Sequence, residues 1–246
     1  MKHFKFYTTV YCLFFLFIST SAFGQTIEVV TEEWPPYNYT VDGEITGSST
    51  KIITKALKAA NINYTIRSYP WARAYKLAQE KPNVLIYTIV RTEHREPLFK
   101  WVAEIQPPVP TYLYKRSDRK EVTATDLEEA LKFSVVVTRS AYSEQYLRKL
   151  GFSHNTNLIV TSYPFRGLQM LMSGRADLLA ESSENLKSIL ADADINPKDV
   201  SPAVFLKDFK FYAAFSKGTD DKLVARLRTA LVQTLARERA SSPTIN

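Results

Sequence analysis

Two arginines and two threonines lie around the end of a short apolar stretch, and their types suit the binding of a small anion. Val84–Val90 is apolar and rich in β-branched residues, too short for a buried helix and typical of a buried strand. Arg91 and Arg95 follow it, together with the hydroxyl-bearing residues Thr88 and Thr92. A guanidinium offers a fork of donors that can hold both oxygens of a carboxylate. The alternative is that these arginines coat a strand end and face water, as most charge clusters do.

The elements before this stretch form a repeating strand–helix pattern. Strands are predicted at Ile27–Thr31 and Tyr64–Arg67 from their β-branched or alternating residues. An amphipathic helix capped by Ser48 or Ser49 follows the first strand, and Pro70 suits the start of a second helix. This order implies parallel βαβ units, which close right-handed. Because ligands bind at the carboxyl ends of such strands, the strand end that carries the arginines becomes the candidate site.

An aromatic loop follows the first predicted strand. Pro35 and Pro36 cannot continue a strand, so they fix an irregular loop at this place. Trp34 and Tyr37 are therefore held just beyond the carboxyl end of that strand. We interpret Trp34 as a packing residue.

The first 24 residues have the pattern of an export signal. Basic residues precede an apolar run at Val10–Ile18, and Ala22 and Gly24 place small side chains where a signal peptidase reads them. An uncleaved membrane anchor is the alternative, but the apolar run is short for a bilayer span. We therefore predict a secreted, soluble protein that begins at Gln25.

Composition excludes several classes of function. The net charge of +7 is modest, the basic residues are scattered and no nucleic-acid-binding motif occurs, so we expect no nucleic-acid partner. Cys12, the single cysteine, lies in the predicted signal, which leaves the mature chain without a disulfide or a thiolate nucleophile. His94 and His154 lack ligand spacing, and the few glycines form no phosphate-binding loop. We expect no metal and no cofactor.

The order of these motifs resembles the family 3 bacterial extracellular solute-binding proteins, the periplasmic receptors that deliver polar amino acids to ABC importers. The matching pieces are E-W-P-P-Y-N-Y, an amphipathic helix, P-W-x-R-A, R-T-x-x-R and F-K-W-V. The resemblance covers nearly the whole mature chain. It implies an α/β fold of the periplasmic-binding-protein-like type II, with two lobes, a two-strand hinge and a ligand cleft between the lobes. Lobe 1 would comprise residues 25–110 and 213–246, and lobe 2 residues 111–212.

The resemblance also implies roles for residues around the apolar strand. Arg95 matches the arginine that holds the α-carboxylate of the ligand in the amino-acid receptors. Thr88 and Val90 match ligand-contacting positions of the same strand, although Val90 offers only its backbone. Arg91 is a further candidate, for which an outward-facing role is the alternative.

Three more positions are implied to contribute to the cleft. Tyr37 and Trp71 match positions that supply aromatic walls, with ordinary core packing as the alternative. Ser140 would add a hydroxyl from the second lobe. It is not a nucleophile candidate, because no G-x-S-x-G turn surrounds it and no histidine lies nearby in sequence. We expect no catalytic residues.

The chain departs from the receptor pattern where the ligand's ammonium is held. Amino-acid receptors place an aspartate five residues after the position of Asp177, and here Ser182 stands there with Glu181 beside it. Either Glu181 takes the role through a shifted loop, or the ligand has no α-ammonium. The second option would make an organic acid or a peptide- or aromatic-derived anion the ligand.

These features predict a monomeric periplasmic protein that captures a small carboxylate-bearing solute for the permease of an ABC importer. One alternative is a dehydratase of the cyclohexadienyl type, which resembles this family in fold and would need Glu181 as its acid. Another is a soluble sensor subunit that presents its ligand to a membrane kinase. Import, catalysis and sensing all use the same cleft.

Overall fold

The structure is a computed structural model that describes residues 26–241. Its strands are β1 (Ile27–Thr31), β2 (Tyr39–Val41), β3 (Glu44–Thr46), β4 (Tyr64–Ser68), β5 (Val84–Val90), β6 (Phe99–Arg116), β7 (Val135–Thr138), β8 (Leu158–Thr161), β9 (Leu178–Ser182) and β10 (Val200–Ser216). Its helices are α1 (Ser48–Ala59), α2 (Trp71–Glu80), α3 (Leu127–Ala130), α4 (Tyr142–Lys149), α5 (Pro164–Met172), α6 (Ser183–Asp192) and α7 (Asp221–Ser241). The predicted export signal, residues 1–24, lies outside the described residues.

Eight of the strands form one mixed sheet in the order β4-β1-β5-β10-β6-β9-β7-β8. β1 runs parallel to β4 and β5, and β7 runs parallel to β8 and β9, as the strand–helix pattern predicts. The long strands β10 and β6 lie antiparallel between these two groups. We call the side of β4, β1 and β5 the first lobe and the side of β9, β7 and β8 the second lobe. The two-lobed α/β fold is thus confirmed.

The hinge strands are longer than the sequence indicates. The sequence suggests crossings at Val109–Tyr114 and Phe209–Phe215, whereas β6 has 18 residues and β10 has 17. Prolines normally indicate the end of a strand, so the sequence suggests a shorter β6. Pro107 and Pro108, however, lie in a gap of the β6–β10 register, where no N–H group is needed for a hydrogen bond between the strands. Because both strands run through both lobes, the lobe limits at residues 110 and 213 stay a prediction.

Each lobe carries a hydrophobic core on both faces of the sheet. In the first lobe, Val29 and Leu85 pack under α1 and α7, while Val30 and Ile86 pack under α2. In the second lobe, alternate residues of β7 divide in the same way between two clusters. Buried parallel strands that are apolar on both faces are the expected result of helices on both sides. Between residues 26 and 241, no helix has the length and apolar character needed to cross a membrane.

Helix α1 begins differently from the prediction. Gly47, not Ser48 or Ser49, is its N-cap residue, and no side chain caps it. The backbone carbonyls of Pro36 and Tyr37 instead accept hydrogen bonds from the first N–H groups of the helix. The aromatic loop therefore rests directly on the start of α1.

Candidate functional site

A cavity of about 590 Å³, counting its open mouth, lies between the lobes and against the hinge. Its walls come from the ends of β1, β5, β7 and β9 and from the middle of the two hinge strands. This is the position that the carboxyl ends of parallel strands predict for a ligand. The residues that line the cavity include Glu32, Trp34, Trp71, Thr88, Val90, Arg95, Tyr142, Glu181, Ser182, Phe209 and Phe211.

Arg95 lies in the wall of the cavity and is 0% exposed. Its Nη1 donates to the carbonyl of Val90 at 3.1 Å, and its Nη2 donates to the carbonyl of Ser140 at 3.1 Å. Its guanidinium lies 4.9 Å from the ring centre of Tyr75. Among the described residues, Nε has no hydrogen-bond partner and no carboxylate forms an ion pair with Arg95. The buried charge is therefore left without a counter-ion.

Thr88 reaches the cavity through a bulge in β5. Tyr212 and Ala213 of β10 pair with Ile89 and Tyr87, so Thr88 is the extra residue between them. Its φ of 61° is uncommon for a β-branched residue and turns the side chain out of the regular pleat. The hydroxyl donates to Oδ1 of Asn38 at 2.8 Å, which leaves its lone pairs available to a ligand.

Glu181 brings a carboxylate to the opposite wall and is 7% exposed. Its Oε1 accepts from the backbone N–H of Ser182 at 2.7 Å and from Nε1 of Trp34 at 3.1 Å. Burial raises the pKa of this carboxyl, and these hydrogen bonds oppose the rise. Ser182 itself caps α6, because its side-chain oxygen accepts from the N–H of Asn185 at 3.3 Å.

Glu32 adds a second carboxylate, directly after β1. It lines the cavity and is half-buried, and its carboxylate has no hydrogen bond or ion pair to any residue from 26 to 241. Burial, and then the charges of Glu181 and Glu33, raise the pKa of Glu32 to about 8, although Arg95 opposes the rise. The side chain of Asn38 holds the backbone here, since its Nδ2 donates to the Glu32 carbonyl at 2.8 Å. The Asn38 side chain therefore joins Thr88 to Glu32.

Aromatic rings cover the rest of the cavity. Trp34 and Phe211 lie with their ring centres 4.8 Å apart, and Tyr142 of α4 meets Phe209 of β10 at 4.8 Å. Trp34 packs in the core as expected, and its indole also lines the cavity and donates to Glu181, a role that the sequence did not indicate. Tyr37 lies behind it, with ring centres 4.7 Å apart, and is not part of the wall.

Ser140 joins the lobes through its backbone and not through the expected hydroxyl. Its carbonyl accepts from Nε1 of Trp71 at 2.9 Å and from Arg95 at 3.1 Å, and both donors belong to the first lobe. A φ of 62° at Ser140 turns the chain at the end of β7. The backbone N–H of Ser140 donates to the carboxylate of Glu144, which anchors the turn on α4.

Arg91 lies outside the cavity. Its Nε and Nη2 donate to the carboxylate of Glu96 at 2.7 and 2.6 Å, and its guanidinium lies 5.4 Å from the ring centre of Trp101. The outward-facing alternative therefore describes its position. The structure brings together Arg95, Thr88, Trp71, Glu181 and Ser182, and it places Tyr37, Arg91 and the Ser140 hydroxyl elsewhere.

Sequence reasoning missed several lining residues. Glu32 carried a usable signal, since it is the first polar residue beyond the carboxyl end of a predicted strand, as Arg91 is beyond β5. Phe209 and Phe211 carried none, because their direction depends on the register of β10 against β6. Within residues 26–241, no group of three or more histidine, cysteine, aspartate or glutamate side chains is arranged to hold a metal ion.

The fold is similar to those of several solved structures. One is a histidine kinase sensor domain with similarity to periplasmic binding proteins, at 18% identity and a TM-score of 0.78, covering 87% of this chain and 92% of that chain. Another is holo ArgBP from T. maritima, at 16% identity and a TM-score of 0.72, covering 89% and 92%. A third is the amino acid ABC transporter substrate-binding protein AbpA from Streptococcus pneumoniae bound to L-arginine, at 17% identity and a TM-score of 0.71, covering 89% and 90%.

At these identities the structural likeness shows the fold. No curated protein matched the sequence. The model of the bacterial extracellular solute-binding proteins, family 3, matches residues 27–240. Since that match covers most of the sequence, the chain belongs to the family 3 bacterial extracellular solute-binding proteins.

Proposed function

We propose that this protein is a periplasmic receptor that captures a small carboxylate-bearing solute between its lobes and delivers it to the permease of an ABC importer. The observation that carries the proposal is that Arg95 is a buried and unpaired cation in the cavity wall. It lines the cavity, is fully buried, and has neither a counter-ion nor a partner for its Nε among the described residues. A carboxylate that entered the cavity would supply both.

Arg95 carries a buried charge without a counter-ion, and such a charge is costly. An isolated buried ion is strongly disfavoured unless it is paired or well hydrogen-bonded, and two carbonyl contacts satisfy Arg95 only in part. A charge-assisted hydrogen bond to a carboxylate contributes about 1.5–3 kcal/mol. We infer that the solute completes this pair, with Thr88 as a second polar contact.

The contacts around Arg95 also support a closing mechanism. Arg95 and Trp71 donate from the first lobe to the carbonyl of Ser140 in the second lobe. A solute bound to Arg95 would therefore lie at the contact between the lobes. A solute that touches both lobes favours the closed form, which is the form that would dock on a permease.

The family and its neighbours agree with binding and not with catalysis. The matching family model is that of solute-binding proteins, and the solved neighbours described above are binding proteins or a sensor domain. Two of those neighbours are ArgBP from T. maritima and the amino acid ABC transporter substrate-binding protein AbpA, which is bound to L-arginine. A dehydratase would differ by turning over prephenate or arogenate, and loss of that turnover in Glu181→Gln would identify it.

A sensor role is the second candidate. The histidine kinase sensor domain has the highest TM-score of the neighbours described above, 0.78. Import and sensing share the same solute site and differ in the membrane partner. Crosslinking in membranes followed by mass spectrometry would separate them, since an importer subunit would be joined to a permease and a sensor subunit to a kinase.

The test of the proposed function is a thermal-shift screen followed by calorimetry. The screen compares amino acids, keto acids, dicarboxylates and short peptides, because a solute that binds only the folded state raises the melting temperature. We expect at least one carboxylate to bind and Arg95→Ala to weaken it at least tenfold, about 1.4 kcal/mol. Arg91→Ala is the matched control, since Arg91 pairs with Glu96 outside the cavity, and it should bind as the wild type does.

Arg95→Ala removes a buried side chain, so its melting curve has to be recorded beside its affinity. Arg95→Lys keeps a charge in the cavity but loses the fork of donors, and it should retain part of the binding. An unchanged affinity in a folded Arg95→Ala protein would refute the proposed role of Arg95.

A further inference from the structure

Two carboxylates and one guanidinium share the cavity. Glu32 approaches from the end of β1, Glu181 from β9 and Arg95 from the turn after β5. None of the three forms an ion pair with any residue in the described part of the chain. A solute that brings only a carboxylate would satisfy Arg95 and leave the two acids facing it.

We propose that Glu32 and Glu181 act together as an acid pair that binds a cationic group of the solute, and that the empty pair holds a proton which this group displaces. The inference rests on the proposed function, because it concerns the same cavity and the same solute. It adds a specificity determinant, Glu32, and a coupling of solute binding to pH.

The geometry of Glu181 leaves it ready for such a contact. The Trp34 indole and the Ser182 N–H both donate to Oε1, which leaves Oε2 to the side chains of Ser182 and Asn185, both near enough to lower the pKa of this carboxyl, and to a ligand. Trp34 also ties the two walls together, since it follows Glu32 by two residues and holds Glu181 across the cavity. The side-chain amide of Asn185, fully buried and without a hydrogen-bond partner in residues 26–241, lies close enough to lower the pKa of Glu181.

The charges around the pair explain why it would hold a proton. Three charged groups act on the carboxyl of Glu32. They are Glu181 on β9, Glu33 in the same loop as Glu32, and Arg95 in the turn after β5. Glu181 is bounded by Trp34, Ser182 and Asn185, and its charge also raises the pKa values of Tyr37 and Tyr114. The charged and titratable groups around Glu32 and Glu181 are Glu33, Tyr37, Arg95, Tyr114 and Glu184.

Two carboxylates that line one cavity repel each other when both are ionised, so they titrate as a pair. The pKa of Glu32 is about 8 in the empty cavity, and a bound cation would lower it. Below pH 8 a cationic solute therefore releases a proton as it binds, and its affinity rises with pH by up to tenfold per unit. An acid without a cationic group would instead keep the proton, and its affinity would fall as the pH rises through 8.

The experiment is isothermal titration calorimetry at pH 6, 7 and 8, in two buffers of different ionisation enthalpy so that released protons are counted. The cationic probes are L-arginine, L-glutamine and L-phenylalanine, and the probes without a cationic group are 3-phenyllactate, 2-hydroxyglutarate and succinate. We expect binding only in the first set, release of close to one proton at pH 7, and an affinity that rises with pH.

The variants separate this inference from the proposed function. Glu32→Gln should remove the proton release and the pH dependence and weaken cationic probes at least tenfold at pH 8. Glu33→Gln is the neighbouring control, because the Glu33 carboxylate accepts from Thr40 and Ser68 outside the cavity. It removes one of the charges that raise the pKa of Glu32, so it should reduce the proton release without abolishing it. Binding of a cationic probe that needs Arg95 but releases no proton would overturn the inference alone. Binding confined to the second set would also overturn it, and binding of none of the six probes would count against the proposed function as well.

A measurement without solute tests the proton directly. If Glu32 keeps a proton in the folded protein, the folded state binds more protons than the unfolded state between the usual pKa of a glutamate and about 8. The stability that comes from this group is then lost as the pH rises through that interval. Thermal unfolding at pH 5 and pH 8 should show a smaller fall in melting temperature for Glu32→Gln than for the wild type. Equal falls would mean that Glu32 ionises normally, which would overturn the inference.

Discussion

Thr88 illustrates how a single backbone angle places a polar group in the cavity. A φ of 61° is unfavourable for a β-branched residue, at a cost of about 1–3 kcal/mol. The surrounding strands hold it there, because the bulge is enclosed between paired residues of β5 and β10. Its hydroxyl then meets Oδ1 of Asn38, a fully buried amide. The strained backbone angle therefore places the Thr88 hydroxyl at one end of a chain of hydrogen bonds, which continues through the side chain of Asn38 to the backbone of Glu32.

We predict that Thr88→Val destabilises the protein by about 1–3 kcal/mol, because valine keeps the shape but leaves the buried Asn38 oxygen without its donor. Thr88→Ser is the matched control, since it keeps the hydroxyl and relieves the β-branched side chain at positive φ. Urea unfolding of the two variants measures the difference. Equal stabilities would show that the Asn38 contact contributes nothing.

At the scale of elements, the start of helix α1 positions the aromatic loop. Gly47 has a φ of 110°, and a Cβ at this residue would lie 2.4 Å from the carbonyl oxygen of Tyr37. That close approach lets the carbonyls of Pro36 and Tyr37 accept from the first N–H groups of the helix. Backbone contacts thus replace the serine cap and fix Trp34 beside the cavity.

Gly47→Ala should lower the free energy of unfolding by about 3 kcal/mol, because it combines an unfavourable φ with a clash against backbone. Gly43→Ala is the control, since Gly43 also has a positive φ, 81°, but nothing lies within 4 Å of its added Cβ. We expect Gly43→Ala to cost only about 1 kcal/mol. Denaturant midpoints of the two variants compare them, and equal costs would mean that the clash relaxes freely.

At the scale of the molecule, the two lobes meet at a few directed contacts around the cavity. Trp71 and Arg95 donate to Ser140, Trp34 donates to Glu181, and Tyr142 packs on the hinge at Phe209. Every one of these contacts involves residues of the solute cavity. Separation of the lobes would therefore break these contacts and widen the access to the cavity.

We predict that Trp71→Phe shifts the population toward the open form about fivefold, because it removes one interlobe hydrogen bond of about 1 kcal/mol and keeps an aromatic wall. Small-angle X-ray scattering without solute should give a larger radius of gyration for this variant. Trp101→Phe is the matched control, since its indole donates to the Glu96 carbonyl within one lobe. A Trp71→Phe protein as compact as the control would contradict the role of this contact in closure.

Local sequence patterns were enough to predict the two-lobed fold and the place of Arg95 in the cavity wall. A buried parallel strand is recognisable from its own short apolar, β-branched run, so the sequence predicts β5 with the limits that the structure shows. Arg95 then follows the carboxyl end of that strand, as the sequence indicates. The βαβ order then implied which strand ends meet. Local spacing was enough here because each signal lies within one element and its turn.

Long-range packing, by contrast, selects which of several neighbouring side chains line the cavity. Ser182 stands at the position of the receptor aspartate and lines the cavity, but its hydroxyl oxygen caps α6. The carboxylates of the cavity come instead from Glu181 and, on another strand end, from Glu32. Arg91 directly follows the lining residue Val90, and Tyr37 follows the lining residue Trp34 by three positions. Their side chains nevertheless turn away from the cavity, Arg91 to Glu96 and Tyr37 to the back of Trp34. Whether a side chain points into the cavity depends on the strand register, on the bulge at Thr88 and on which partners distant in sequence it contacts. Such long-range contacts leave no periodic mark in the sequence, which is why the acid pair emerged only when the strands were assembled.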